Sequence, residues 1–342
     1  MVNKNKVFIE KLNSCLNKQQ IFSFEDINSL QSKITDLFVK EKCINYFNWF
    51  KDNYNYLEYF YNLLEDEEEK QLYLKMIASK LLGPIYITEQ EKEKYIHSRD
   101  IFDNLLVDNS IKQLQSVTRK LKFYDLSTLG YDIKLYGARA LLDKLVIHNQ
   151  YSYKDCKTEA NDFVIDAGGC WGDTSLLFSS RVGNRGKIFT FEFFDDNLNV
   201  LKENLSYNKK LSENIVLTER PLYNKSNEIL YLKHACADIT TLTENKNNLQ
   251  KYKTISIDDF VKDNKIEKID FIKMDIEGCE LKALQGAINT LKKYKPKLAI
   301  AAYHKYEDYY EIPKFLNELN TGYKFYFANY TLGFSDTVIY AK

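Results

Sequence analysis

Hydrophobic and polar positions follow two different periods along this 342-residue chain, and the change falls near residue 125. Up to about residue 124 the spacing is helical. Phe22-Ser-Phe-Glu-Asp-Ile27 has the form of a helix start: Ser23 as cap, Asp26 three residues on to complete a capping box, and Phe22 and Ile27 spaced to staple across it. Ile27, Leu30, Ile34 and Phe38 then recur at steps of three and four residues. A second periodic run, Asn45 to Leu82, carries Phe47, Phe50, Tyr54, Leu57 and Phe60, an aromatic stripe that reads as a buried helix face. Glu65-Asp-Glu-Glu-Glu69 interrupts that run as a solvated helix start, and Gly83-Pro84 ends it. A third helix is expected over Ser110 to Lys120.

Past residue 125 the period shortens. Tyr131-Asp-Ile-Lys-Leu-Tyr136 alternates as a strand does, and from residue 163 strands and helices take turns. Strands are expected over 163–167, 187–192, 214–218, 269–275 and 297–303, and helices over 172–181, 196–207, 256–264, 279–293 and 306–320. Two last strands, 323–329 and 336–341, flank Gly333. Strand and helix in strict alternation imply an α/β fold with a parallel sheet covered on both faces. The chain therefore divides into an amino-terminal helical region, residues 1–124, and an α/β domain, residues 125–342. The first would cover an acceptor site, form a homodimer or dock a partner.

Candidate chemistry gathers at the carboxyl ends of the expected strands, where open parallel sheets bind ligands. Phe163-Val-Ile-Asp-Ala167 runs into Gly168-Gly-Cys-Trp-Gly172 and then a helix. Glycines at such a turn let a ligand lie against bare backbone. The nicotinamide fingerprint GxGxxG needs glycines at offsets held here by Ala167, Gly169 and Gly172, so it is missed by one. The spacing acidic-x-Gly-x-x-x-Gly is met by Asp166, Gly168 and Gly172. Glu192 ends the next strand, where a carboxylate accepts hydrogen bonds from ribose hydroxyls. In Ile269-Asp-Phe-Ile-Lys-Met-Asp-Ile-Glu-Gly278, strand period places Lys273, Asp275 and, if the strand persists, Glu277 on one face. Such a crowd of charge needs partners or a ligand: either Lys273 and Asp275 form a structural ion pair, or Asp275 or Glu277 meets a reacting group. His304, after Ala301-Ala-Tyr, is a further candidate base.

Composition narrows the partners. Hydrophobic residues make 44% and charged residues 28%, a globular balance, and the formal net charge of zero argues against a nucleic-acid-wrapping surface. Cys15, Cys43, Cys156, Cys170, Cys236 and Cys279 are scattered without paired spacing, so neither a metal site nor a disulfide framework is expected. With no apolar run long enough for a signal peptide or membrane span, a cytoplasmic protein is expected.

Val164-Ile-Asp-Ala-Gly-Gly-Cys-Trp-Gly-Asp-Thr174 resembles the first motif of FkbM-type methyltransferases. Phe191-Glu-Phe193, Ser256-Ile-Asp-Asp-Phe260, Asp270 to Glu280 and Ser335 to Ala341 resemble later ones. The resemblance covers about residues 125–342. It implies a Rossmann-like class I methyltransferase fold, a seven-stranded, mostly parallel sheet with an antiparallel last strand. It further implies S-adenosyl-L-methionine at Asp166, Ala167, Gly168, Gly169, Cys170, Trp171, Gly172 and Thr174, with Glu192 on the ribose and Phe193, Leu222 and Asp275 nearby. The implied reaction is O-methylation of a sugar or secondary-metabolite hydroxyl, with Asp275, Glu277, His304 and Lys273 as catalytic candidates. Pro221, where relatives carry a small residue, and Ser335-Asp336, where a Glu is common, depart from the pattern. Two other readings stand beside it. One is a nicotinamide-dependent sugar-modifying enzyme, poorly served by Ala167; its Tyr-x-x-x-Lys pair is matched by Tyr153 and Lys157 ahead of the loop, or by Tyr310 and Lys314 across Pro313. The other is a binding scaffold on the same fold.

Overall fold

The computed structural model describes residues 10–12, 37–83, 101–113, 120–236, 239–244, 250–331 and 336–342. The helix start expected at Phe22 to Ile27 and the Gly333 turn lie outside them. The chain packs as two compact units, one of Met1–Tyr95 with Ala302–Ala341, the other of Ile96–Ala301.

In the first unit, helices α1 (Leu37–Leu63) and α2 (Glu67–Leu82) are consecutive. Asp66 caps α2, accepting from the Glu68 amide at 2.8 Å and the Glu69 amide at 3.4 Å, and Gly83 closes it with a positive φ of 81°. The acidic stretch thus opens a helix, as its charge against the helix dipole favours. Glu69 departs from the solvated expectation. It is buried, and its Oε2 accepts the Phe327 amide at 3.2 Å from strand β12 (Phe325–Asn329). Together with a backbone bridge from Leu64 to Phe325, this occupies hydrogen-bonding groups on a strand edge that would otherwise invite aggregation. The aromatic stripe is core: Phe47, Phe50, Leu57 and Phe60 are buried. Tyr73 meets Phe327 edge-on at 5.3 Å, the geometry that ring quadrupoles favour. Just ahead of helix α8 (Asp308–Glu318), Glu307 accepts from the Trp49 indole at 2.8 Å.

The second unit opens with an antiparallel meander, β1 (Leu106–Gln113), β2 (Lys120–Asp125) and β3 (Lys134–Gly137). The helix expected over Ser110 to Lys120 is therefore corrected at its two ends: Ile111 and Gln113 pair with Lys122 and Lys120 of β2, and residues 114–119 lie outside the described residues. Ladder hydrogen bonds to a distant segment outweigh a weak local period. On β3, two asparagines one helical turn apart on α4 (Asp195–Tyr207) and just past it hold the strand's free groups. Asn204 Oδ1 accepts from the Tyr136 amide at 2.7 Å while its Nδ2 donates to Tyr136 O at 2.8 Å, and Asn208 does the same for Lys134 at 3.0 and 2.7 Å.

Then the expected alternation appears: β4 (Phe163–Ala167), α3 (Asp173–Val182), β5 (Lys187–Phe191), α4, and β6 (Ile215–Thr218). An antiparallel excursion that the sequence did not announce follows, β7 (Ile229–Cys236), β8 (Ile239–Thr243) and β9 (Lys251–Lys253). Helix α5 (Ile257–Asp263), β10 (Phe271–Met274), α6 (Glu280–Gln285), α7 (Ile288–Tyr294) and β11 (Lys297–Ala301) complete the unit. Its parallel strands run β11-β10-β4-β5-β6; with β12 and β13 (Thr337–Ala341), which pair antiparallel, the sheet is seven-stranded and mostly parallel. The single helix expected over 279–293 is two. At Gly286 a Cβ would lie 2.3 Å from the Tyr223 carbonyl, and Asp258 caps α7 by accepting the Asn289 and Thr290 amides at 2.9 and 2.8 Å. Among the described residues no helix is long and apolar enough to cross a membrane.

Candidate active site

The turn after β4 is built from its glycines. Gly168 and Gly169 both donate to Phe191 O, at 3.0 and 2.9 Å. Gly168 has φ +82°, and a Cβ there would sit 1.9 Å from the carbonyl oxygen of Asp275. Gly172, also at φ +82°, is the N-cap of α3. Both positions need a backbone that side chains oppose, and at 168 there is no room for one either. Cys170, between them, has a φ of 43°.

Behind this loop lies a row of buried charge. Asp166 is wholly buried and its Oδ2 accepts from Thr174 Oγ1 at 2.7 Å and Ser175 Oγ at 2.6 Å, both on α3. Its Oδ1 stands 3.1 Å from Lys273 Nζ. The same ammonium donates to Ala167 O at 3.1 Å and Gly168 O at 2.6 Å, so Lys273 ties β10 to the start of the loop. Burial opposes its charge, yet Asp166 and Asp275 prevail and hold its pKa above the ordinary value. Asp173, opening α3, is pushed up to about 6 by burial, against the pull of Lys273. Asp166, Lys273 and Thr174 therefore form the frame of the loop. Trp171 likewise turns inward, packing with Leu121 and Val200 and donating from Nε1 to Asn197 Oδ1 at 3.1 Å. Ala167 is buried, and Gly169 lies so close under Thr190 that a Cβ would be 2.3 Å from its methyl.

In front of the loop is an open crevice at the carboxyl ends of the strands. Gly168 and Cys170 line it from the loop, Glu192 and Phe193 from the end of β5, Leu222 from the segment after β6, and Asp275 and Glu277 from the end of β10. Leu242 of β8 reaches it too, so the unannounced excursion supplies part of the wall. Glu192 is held by four donors: the Cys170 amide at 2.9 Å, the Phe193 and Phe194 amides at 2.7 and 2.9 Å, and Asn197 Nδ2 at 3.3 Å. Burial raises its pKa, and these donors draw it back. Pro221 also lines the crevice; its carbonyl accepts the Ile255 amide at 3.0 Å.

Strand β10 ends at Met274, and although the Asp275 amide still donates to Ala167 O at 3.1 Å, the strand does not persist to Glu277. Lys273 faces the buried row, Asp275 lines the crevice near enough to raise the Lys273 pKa, and Glu277 sits in a turn with a φ of 55°. Tyr151, unsuspected from the sequence, donates from its hydroxyl to Asp275 Oδ2 at 2.7 Å. A lone tyrosine 124 positions ahead of its partner leaves no local signal. His304 belongs to the other compact unit, beyond β11, with its ring 4.1 Å from that of Tyr303. Asp336 is buried with a φ of 60°.

A glycine turn after one strand, an acidic end on the next and a seven-stranded sheet closed by an antiparallel pair define the class I methyltransferase fold. A crystal structure of methyltransferase FkbM from Methylobacillus flagellatus KT shares it, with a TM-score of 0.56 and 17% identity over 86% of this chain and 60% of that one. The methyltransferase FkbM domain matches residues 157–325, and that segment of the chain is a domain of this family. Hexuronic acid methyltransferase AglP of Haloferax volcanii is 25% identical over 162 residues, 47% of this chain and 64% of that relative. The chain thus spans under two thirds of the length of each.

Proposed function

We propose that this protein transfers a methyl group from S-adenosyl-L-methionine to a hydroxyl of a sugar in a glycan or its precursor. The observation that carries the reading is the crevice at the carboxyl ends of β4, β5 and β10, where Gly168 offers bare backbone and Glu192 a fixed carboxylate. The fit is chemical: acidic Glu192, Asp275 and Glu277 suit a ligand with ribose hydroxyls and positive charge, and apolar Phe193, Leu222 and Leu242 suit a flat base. When bound, this cofactor supplies an electrophilic methyl on a sulfonium. The protein's share is to orient, to exclude water and to accept the hydroxyl proton. Glu192 would hold the ribose; Asp166, Lys273 and Thr174 would keep the loop shaped for it. Asp275, Glu277 and His304 are the candidates to take the proton.

The likeness to a hexuronic acid methyltransferase favours a sugar acceptor over a secondary metabolite. Family membership weighs against the nicotinamide reading. Residues 1–124, apart from a methyltransferase domain at 125–342, would serve as lid, homodimer surface or docking site. Calorimetric titration with S-adenosylhomocysteine and with NAD, followed by transfer of labelled methyl to uronic-acid oligosaccharides, tests the proposal. Micromolar binding of the first ligand alone, with label on the sugar, is expected. Binding without label on any acceptor would favour the scaffold reading, and no binding would defeat the cofactor assignment.

A further inference from the structure

Asp275 is one of three candidate bases in that reading, and a buried tyrosine holds its carboxylate. Tyr151 is buried, yet its hydroxyl is spent on Asp275 Oδ2, at 2.7 Å. The face of the same ring lies 5.4 Å from Lys273 Nζ, the cation that also holds Asp166. One side chain therefore touches both the buried charge row and the carboxylate that faces the crevice. The backbone bringing it there is unusual. A π-helical turn, Asp143–Ile147, leads into a segment in which Asn149, Tyr151 and Lys154 all have positive φ, at 52°, 65° and 49°. A bulky aromatic residue at such a φ is an outlier that persists only where surrounding structure imposes it, and such outliers cluster at functional sites. Here the Gln150 amide bonds to Lys144 O and the Ser152 amide to Asn149 O, both at 2.9 Å, pinning the turn on either side of Tyr151.

A hydroxyl donating to a carboxylate, with an ammonium nearby, stabilises the ionised form and makes it a poorer proton acceptor. We propose that Tyr151 is a positioning residue that fixes Asp275 as an oriented anion for a positively charged group of the bound cofactor. The assignment rests on the crevice being a cofactor site. A fixed anion beside the turn at Gly168 suits a ligand carrying ammonium or sulfonium charge, and it costs no reorganisation on binding.

The test is a double-mutant cycle on the full-length protein, reading S-adenosylhomocysteine affinity calorimetrically from about pH 3 to pH 8, across the ordinary carboxylate range, with melting temperature alongside. Tyr151→Phe is expected to weaken binding about tenfold, the scale of one hydrogen bond to a charged group. It should also move the acid fall-off in affinity to higher pH, because Asp275 takes up a proton more readily without its donor. Asp275→Asn should weaken binding comparably and remove that fall-off. Adding Tyr151→Phe to Asp275→Asn should then cost little more. Unchanged affinity and pH profile in a folded Tyr151→Phe would overturn the proposal, as would fully additive losses in the cycle. If Tyr151→Phe does not fold, Asp275→Asn decides: an acid fall-off identical to that of the unaltered protein refutes the anion role. No binding by the unaltered protein would instead defeat the cofactor reading, and this assignment with it.

Discussion

Replacing Lys273 by methionine separates a structural ion from a catalytic one. The substitution keeps the length of the side chain but removes three interactions at once: the ion pair to Asp166 at 3.1 Å and the donations to Ala167 O at 3.1 Å and Gly168 O at 2.6 Å. Asp166 is fully buried and would be left with the hydroxyls of Thr174 and Ser175 alone. Breaking a buried pair by removing one partner typically costs about 3–5 kcal/mol, because the remaining charge is stranded away from water. For a unit of this size that corresponds to a fall of roughly 10 °C in melting temperature. The raised pKa of Lys273 fixes the sign of the pH dependence. Its contribution is complete below the ordinary ammonium range and is lost only as pH climbs through its folded value, so the deficit should be flat across roughly pH 6–9. Scanning calorimetry and urea unfolding of Lys273→Met measure this directly. Adding Asp166→Asn should recover much of the loss, because no stranded charge then remains. A single variant within about 0.5 kcal/mol of the unaltered protein would refute the reasoning. If such a stable variant had also lost turnover, Lys273 would belong to the chemistry.

Glu192→Ala should weaken S-adenosylhomocysteine binding by about 1–3 kcal/mol through lost charge-assisted bonds, and an unchanged titration would remove Glu192 from the site. Gly168→Ala should abolish binding and lower stability, since its Cβ would collide with the backbone oxygen of Asp275 at 1.9 Å; a crystal structure with the loop undisturbed would contradict this. Asp173, with its carboxyl pushed up to about 6, binds its proton more tightly folded than unfolded. It therefore favours folding at acid pH and loses that contribution as pH rises through about 6; Asp173→Asn should flatten the slope of melting temperature between about pH 4 and 6. Asn204→Ala leaves the Tyr136 amide and the carbonyls of Tyr136 and Trp171 without their partner, and should cost about 2–3 kcal/mol by urea unfolding.

Local order was largely legible. The strands ending at Ala167, Phe191 and Met274, the glycine turn and the acidic residue after β5 are short-range patterns, because side-chain period and glycine's conformational freedom act over a few residues. Residues 110–113, read as the start of a helix, misled, since the ladder that makes them a strand is formed with β2 rather than within the segment. The same limit applied to Glu69, whose partner is the Phe327 amide 258 positions away.

What the sequence determined by itself is the family, the α/β alternation and the set of charged residues at the strand ends. Which of those charges turn inward was decided only by tertiary structure. Lys273 enters the buried row with Asp166, Asp275 lines the crevice beside it, and Tyr151 meets both. Side-chain period names the candidates for one face, but the partner each charge meets, Asp166 for Lys273 and Tyr151 for Asp275, lies more than a hundred positions away and leaves no local pattern.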